Sequence, residues 1–318
     1  MSFSSKVKSE LSNHFGNARH CCIAEIAAII NICGHIHRLG QKICIKIQTE
    51  NIYVATKTFT LIKKTFNIES EVLVRKNNQS NKSHTYMIFI MQKEQAAKLL
   101  KATGIITSQQ EYPIIENKIY PLVVNSICCK RAYIRGAFLA SGSLSNPEKN
   151  YHLEFVCPSY NYSIQLKDLI NSFQMDAKIV KRKEQYIVYL KEGEQIVDLL
   201  NIMEAHIALM NLENVRILKD MRNNVNRIVN CETANLNKTI IASIKQIEDI
   251  EYIKKNMDIS QLPPSLEEIA QARLNFPDAS LKELGEMMNP PVGKSGVNHR
   301  LRKISSMAEI LREEKGDF

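Results

Sequence analysis

No stretch of this chain stays apolar long enough to span a bilayer. The longest hydrophobic runs are broken by Glu25 or Asn31. The opening residues, MSFSSKVKSELSNHF, have no apolar h-region, so no signal peptide is expected. There is no Cys-x-x-Cys, which argues against a zinc ribbon or finger. The 8 cysteines include two adjacent pairs, Cys21-Cys22 and Cys128-Cys129, which close a normal disulfide only with difficulty. The expectation is eight reduced thiols in a cytoplasm, mostly buried as small hydrophobes, with no metal and no cofactor. Acid is the other shortage. A formal charge of +9 and a pI near 9.0 favour a polyanionic partner, a weak signal by itself. The rest is ordinary: 318 residues, 44% hydrophobic and 24% charged, suit a globular protein of two or three domains.

The acid shortage is local. No Asp or Glu occurs from Met287 to Ala308, inside a run that reads as three short amphipathic helices. Ser265 with Glu268 and Ser280 with Glu283 have capping-box spacing, and Ser295 can cap the third helix. Leu266, Ile269 and Leu274, then Leu281, Leu284 and Met288, then Val297, Leu301 and Ile304 recur at helical spacing. Short helices with tight connections make a helix-turn-helix, although the turn from Asn289 to Lys294 exceeds the usual three or four residues. At about 100° per residue, Leu301 and Ile304 fall within about 40° of Val297, on one buried face. Ser295, Asn298, His299 and Arg302 lie opposite and are expected toward the floor of a DNA groove. Lys294, Arg300 and Lys303 sit at ends and flanks, where phosphates lie. Ser280 and Lys282 complete the candidate DNA-binding set. A solvated helix of a small helical domain is the plainer alternative, but such a face usually mixes both signs of charge.

Upstream, one order of elements occurs twice. Phe3 to Phe15 reads as a short helix. A helix ending at Gly34, the alternating strand KICIKIQTE, a helix from Asn51 to Phe66, the strands EVLVRK and TYMIFI around the polar loop NNQSNKSH, and a helix from Gln92 to Thr103 follow. The second pass gives a helix from Ser126 to Ser141 ending at Gly142, the strand HLEFVCP, a helix from Asn161 to Phe173, the strands AKIVKRK and QYIVYLK, and a helix from Glu194 to Met203. This is a duplicated α-β-(β)-α-β-β-α unit. The two glycine helices suit a pseudo-two-fold axis. Ala24, Ala27 and Ala28 in one, and Gly136, Ala137 and Ala140 in the other, permit close backbone approach.

IAAIINICG (Ile26 to Gly34) and IRGAFLASG (Ile134 to Gly142) resemble degenerate copies of the LAGLIDADG helix of homing endonucleases. The resemblance implies paired four-stranded sheets around a helical interface, with an acidic metal ligand just before each final glycine. Here those positions hold Cys33 and Ser141, so the resemblance implies the fold without the nuclease. Hydrolysis with hard cations needs carboxylate oxygen, which neither a thiol nor a hydroxyl supplies. Glu25 is more than two turns too early to replace them. Cys33, His35 and His37 have no evident fourth ligand for a soft metal, and Ser141 has no placed base to make it a nucleophile.

Between these regions, RNNVNRIVNCETANLNK (Arg222 to Lys238) reads as helical to about Val229, with Val225, Ile228 and Val229 apolar, and Thr239 to Lys254 as another helix. Arg222, Asn226 and Arg227 are candidate DNA contacts of this linker, and a polar hinge helix is an equal reading. With the two degenerate helices and LKELGEMMNPPVGKSGVNHRLRKI, this run resembles the WhiA family. The resemblance implies an α+β LAGLIDADG-like domain of two αββαββα-type repeats (1–104 and 105–210), a helical linker (211–234) and an all-α helix-turn-helix domain (235–318). It implies a sequence-specific transcriptional regulator, not an enzyme, cytoplasmic and nucleoid-associated. That regulator would act on double-stranded DNA in cell division, chromosome segregation and, in relatives, sporulation. Other regulators, sigma factor and RNA polymerase are its candidate protein partners, and no membrane is involved. A divergent metal-dependent endonuclease and a protein- or ligand-interaction scaffold are the alternatives.

Overall fold

The computed structural model describes residues 2–39, 42–76, 84–106, 117–257 and 259–315. The chain forms two units, Met1–Lys219 and Asp220–Phe318. In the first, α1 (Phe3–Asn13) is capped by Ser2, whose hydroxyl accepts from Ser5 N, and is followed by α2 (Arg19–Cys33). Then come β1 (Gly34–Leu39), β2 (Lys42–Thr49), α3 (Ile52–Phe66), β3 (Glu71–Lys76), β4 (His84–Ile90) and α4 (Lys93–Ala102). The second repeat is α5 (Ile127–Ser141), β5 (Gly142–Leu144), β6 (Leu153–Cys157), α6 (Tyr160–Asn171), β7 (Lys178–Arg182), β8 (Gln185–Leu190) and α7 (Gly193–Met203).

The sheets run β1-β2-β4-β3 and β5-β6-β8-β7, all antiparallel, so the duplication holds in topology as well as in element order. Register places apolar residues opposite one another: Ile45 and Ile47 face Ile90 and Ile88, and Leu153 and Phe155 face Leu190 and Val188. These residues form the buried layer on which the helices pack. The strands β1 and β5 fill the place that the sequence leaves only bracketed. They begin at the helix-ending glycine itself, so no polar turn announces them. Most of the NNQSNKSH loop, residues 77–83, lies outside the described residues. Of the eight thiols only Cys21, Cys44, Cys129 and Cys157 are buried. Cys128 and Cys231 are exposed.

The two glycine helices meet face to face. Ala24, Ala27, Ala28 and Ala137 are buried between them, and a Cβ on Gly136 would collide with the Glu25 carbonyl oxygen of the opposing helix. Only glycine allows that approach. Beside it lies a buried ion network. Glu25 is 1% exposed and pairs with Lys57 Nζ at 2.6 Å and Arg135 Nε at 3.4 Å. Arg135 also meets Glu204, which His14 Nε2 approaches to 3.0 Å, and Lys57 donates to the Leu11 carbonyl at 2.7 Å. Burial pulls the Lys57 ammonium below its ordinary range, and the adjacent Glu25 carboxylate partly restores it. The network thus joins both repeats and α1.

In the second unit the chain differs from its sequence reading. A single helix, α8 (His206–Asn256), runs for 51 residues where two helices are expected. No proline or glycine occurs from 206 to 256, so nothing in the sequence stops it. Val225, Ile228 and Val229 are more than half exposed and form no buried seam. The first turns of α8 belong to the first unit, where the Glu10 carboxylate accepts from Ile207 N at 2.7 Å and Ala208 N at 2.9 Å. An anion there satisfies orphan amides and the helix dipole together.

Removing Glu25 would leave Lys57 and Arg135 buried without their shared counter-charge. Glu25→Ala is therefore expected to destabilise the first unit by about 3–5 kcal/mol, the range for breaking a buried pair on one side. Thermal and urea unfolding followed by circular dichroism check this. An unchanged melting temperature would show that the network carries no stability.

Candidate nucleic-acid interface

The second unit packs α9 (Pro264–Asn275), α10 (Leu281–Glu286) and α11 (Lys294–Lys315) against the end of α8. Ile250 and Ile253 of α8 join Leu266, Ile269, Leu284, Met288, Val297, Leu301 and Ile304 in one core. The apolar seams of the three helices therefore converge as their spacing requires.

Each start signal has its own outcome. Ser280 caps α10: its hydroxyl accepts from Glu283 N at 3.3 Å, and its own amide donates to Glu283 Oε2 at 2.7 Å. That backbone amide, helped by the Ser280 side chain, holds the Glu283 carboxyl below the usual carboxylate range. Ser265 caps nothing. Pro263 is the N-cap, Pro264 opens α9, and Ser265 lies inside the first turn. Proline pre-set for the first helical position wins over serine one residue later. Glu268, released from the expected box, accepts from Asn289 N at 2.8 Å and pins the turn to α9. Ser295 likewise lies inside the first turn of α11, which begins at Lys294.

The long turn, residues 287–293, is folded rather than loose. Val292 N donates to the Gly285 carbonyl at 2.9 Å, and Met288 is buried under it. A Cβ on Gly285 would run into the Val292 carbonyl oxygen, so glycine is required where the turn closes over α10. Arg273, 3% exposed, donates to the carbonyls of Pro277 at 3.2 Å and Ala279 at 2.7 Å and fixes the entry to α10. At the far end of α11, Arg312 reaches the buried Asp249 of α8 at 2.8 Å.

On α11, Val297, Leu301 and Ile304 are at most 1% exposed. Lys294, Ser295, His299, Arg302 and Lys303 are exposed, and Asn298 and Arg300 are half-buried. Arg300 donates to the Ser265 carbonyl at 3.5 Å, which holds it at the flank beside α9. Lys282 sits 3.8 Å from Glu286 on the exposed side of α10. An open cleft brings together Ser280, Lys282, Lys294 and Asn298, and it is walled on the other side by Lys238 and Thr239 of α8. Ser295, His299, Arg300, Arg302 and Lys303 do not line it. Lys238 was not singled out by the sequence. It is the last residue of the polar run, and only the unbroken α8 carries it to the cleft. Arg222, Asn226 and Arg227 are exposed on α8.

In the first unit the positions before the two glycines hold no anionic oxygen. Burial pushes the Cys33 thiol up to about 11, so it is protonated at neutral pH, and the Ser141 hydroxyl donates back to the Ala137 carbonyl at 3.5 Å. Lys8 lies near Cys33, and burial brings the Lys8 ammonium down to about 8. Neither side chain offers a hard cation what it needs.

A duplicated LAGLIDADG-like domain followed by a helix-turn-helix domain defines the class of this protein. Family models described as the WhiA N-terminal LAGLIDADG-like domain, the WhiA LAGLIDADG-like domain and the WhiA C-terminal HTH domain match residues 19–106, 130–222 and 225–308. The chain is 54% identical over 314 residues to the probable cell division protein WhiA of Lachnoclostridium phytofermentans, covering 98% of this chain and 100% of that one. It is 52% identical over 317 residues to the corresponding protein of Alkaliphilus oremlandii, covering 99% of each. The crystal structure of full-length DUF199/WhiA from Thermatoga maritima shares the fold, with a TM-score of 0.61 at 24% identity over 97% of this chain and 98% of that one. The chain belongs to the WhiA family.

The burial of Leu301 and exposure of Arg302 set different stability costs on adjacent residues. Leu301→Ala is expected to cost about 2–5 kcal/mol of unfolding free energy. Arg302→Ala should stay within about 0.5 kcal/mol of the parent. Denaturant melts of the two variants check this, and a reversed order would put the wrong face of α11 inward.

Proposed function

We propose that the protein is a sequence-specific DNA-binding transcriptional regulator that acts in cell division and chromosome segregation and has no nuclease activity. The observation that carries this reading is the exposed side of α11 from Lys294 to Ala308, which is free of acid and is presented on a packed core beside the capped start of α10. A helix of this kind suits the major groove. In this reading Ser295, Asn298, His299 and Arg302 face base edges, and Ser280, Lys282, Lys294, Arg300 and Lys303 hold phosphates. The cleft adds Lys238 to the phosphate set. Arg222, Asn226 and Arg227 extend contacts along α8. The role in cell division rests on similarity to relatives that are probable cell division proteins. Cytoplasmic, nucleoid-associated placement and contact with sigma factor, RNA polymerase or other regulators belong to the same reading. So do the boundaries 1–104, 105–210, 211–234 and 235–318, with DNA affinity concentrated in the last.

Two measurements test it. In fluorescence anisotropy with the selected operator and a scrambled duplex, Arg302→Ala should lose roughly 1–3 kcal/mol on the operator and little on the scramble. Lys303→Ala should weaken both alike and lower the salt slope by about one. Equal effects of Arg302→Ala on both duplexes would remove the base-reading role. In the second, supercoiled plasmid with magnesium or manganese should stay intact, because Cys33 and Ser141 supply no carboxylate. Nicking that survives purification and is abolished by substituting an acidic residue would establish the endonuclease alternative instead.

A further inference from the structure

We infer that His20, Cys21, Cys128 and Cys129 form a Cys3His site for one thiophilic divalent metal ion, zinc by class, that clasps the two repeats at the start of their paired helices. The four ligand atoms all lie within 4.8 Å of one another. His20 Nδ1 is 3.1 Å from Cys129 Sγ and 3.4 Å from Cys21 Sγ. Zinc bonded at about 2.3 Å to sulfur in a tetrahedron sets its ligand atoms roughly 3.5–3.8 Å apart, so small side-chain rotations bring these four onto one centre.

The placement is symmetric. Gly142 follows Gly34 by 108 residues, and the same offset carries His20 onto Cys128 and Cys21 onto Cys129. Each repeat therefore supplies two adjacent ligands, and the pseudo-two-fold axis of α2 and α5 brings the pairs together. All four sit in the first turn of their helices, which begin at Arg19 and Ile127. Two positive helix ends there favour the net negative charge of three thiolates around a divalent ion. Cys21 and Cys129 are buried and fixed by the core, while His20 and Cys128 face solvent and leave a path for entry. The Ser126 hydroxyl lies 3.2 Å from Cys128 Sγ and can support that sulfur from outside the ligand set. Four protein ligands leave no open position, so the site is structural rather than catalytic. The expectation of no metal rests on the missing Cys-x-x-Cys, a local pattern that such a site does not need. The ligands are two adjacent pairs brought together across an interface. Cys22, the other half of its sequence pair, turns away, with its sulfur against the Gly16 carbonyl at 3.3 Å.

The test uses the full-length protein, purified under reducing conditions, stripped with a chelator and titrated with cobalt. The expected result is one cobalt per chain with the visible bands of a tetrahedral ion and thiolate charge-transfer absorption, all displaced by one equivalent of zinc. Cys128→Ser, which alters an exposed side chain, should weaken binding at least about tenfold and reduce the charge-transfer intensity. His20→Gln should weaken binding and keep that intensity. Cys22→Ser and Cys231→Ser should bind as the parent does. Zinc should raise the melting temperature of the parent and not that of Cys128→Ser. Absence of a tetrahedral cobalt spectrum in folded, reduced protein would overturn the proposal. So would equal loss in Cys22→Ser and Cys128→Ser, or a Cys21–Cys128 disulfide in place of metal in the protein as isolated.

Discussion

The contact between Gly136 and the backbone of Glu25 sets the geometry of the whole first unit. It brings two helices together closely enough that only alanine-sized side chains fit between them, and each helix then carries its own sheet. An interface of that kind buries little side-chain volume at its centre, so its cohesion must come from its edges. The edge supplied here is the Glu25–Lys57–Arg135–Glu204 network, which reaches from both glycine helices to α1, α3 and the end of α7. Buried ion pairs seldom add stability over an apolar core, but they penalise every arrangement that leaves one charge unpaired. The network therefore specifies one docking of the repeats where smooth alanine faces would tolerate several.

That constraint also explains what became of the opposite end of the paired helices. In a metal-dependent nuclease the residues before the two glycines must project charge outward. Here Cys33 is half-buried and protonated, Ser141 bonds to its own helix, and Lys8 brings positive charge to the same end. With no carboxylate at either position, both residues serve packing. Glu25 carries a carboxylate on the same helix as Cys33, but it is consumed by the network, and both of its near neighbours there are cations. No rearrangement short of dismantling the interface could lend it to a hard metal ion.

Much of this was legible in the residues, and the limits follow from range. Periodicity locates α1, α3 and α6 within a residue or two, because a helical stripe is a local signal. The Ser280 box is equally local and forms as read. The Ser265 box has the same spacing and fails, because a proline pair just before it competes for the same helix start. The strands β1 and β5 are hidden by the lack of any turn before them. Glu25 was legible only as an interruption of an apolar run. Its partners Lys57 and Arg135 lie 32 and 110 residues away, and no local pattern links them. The His20–Cys129 cluster is hidden for the same reason, and the cysteine pairing visible in the sequence points to Cys22 rather than to His20.

Helix α11 makes the complementary case, in which local signals sufficed. Its inward face is fixed by Val297, Leu301 and Ile304, its flank by Arg300 on Ser265, and its far end by Arg312 on Asp249. The preceding turn is held by Glu268 and by the close passage of Val292 over Gly285. Every restraint falls on the buried side or at the ends of α11. The exposed residues from Lys294 to Lys303 are thereby left to meet a ligand without giving up contacts within the protein. A face pre-organised in this way loses little side-chain support when a ligand binds to it. Lys238 shows where the local argument ends. It reaches the same cleft from α8, on a helix whose continuity no motif announces, and it adds positive charge beside Lys282 and Lys294.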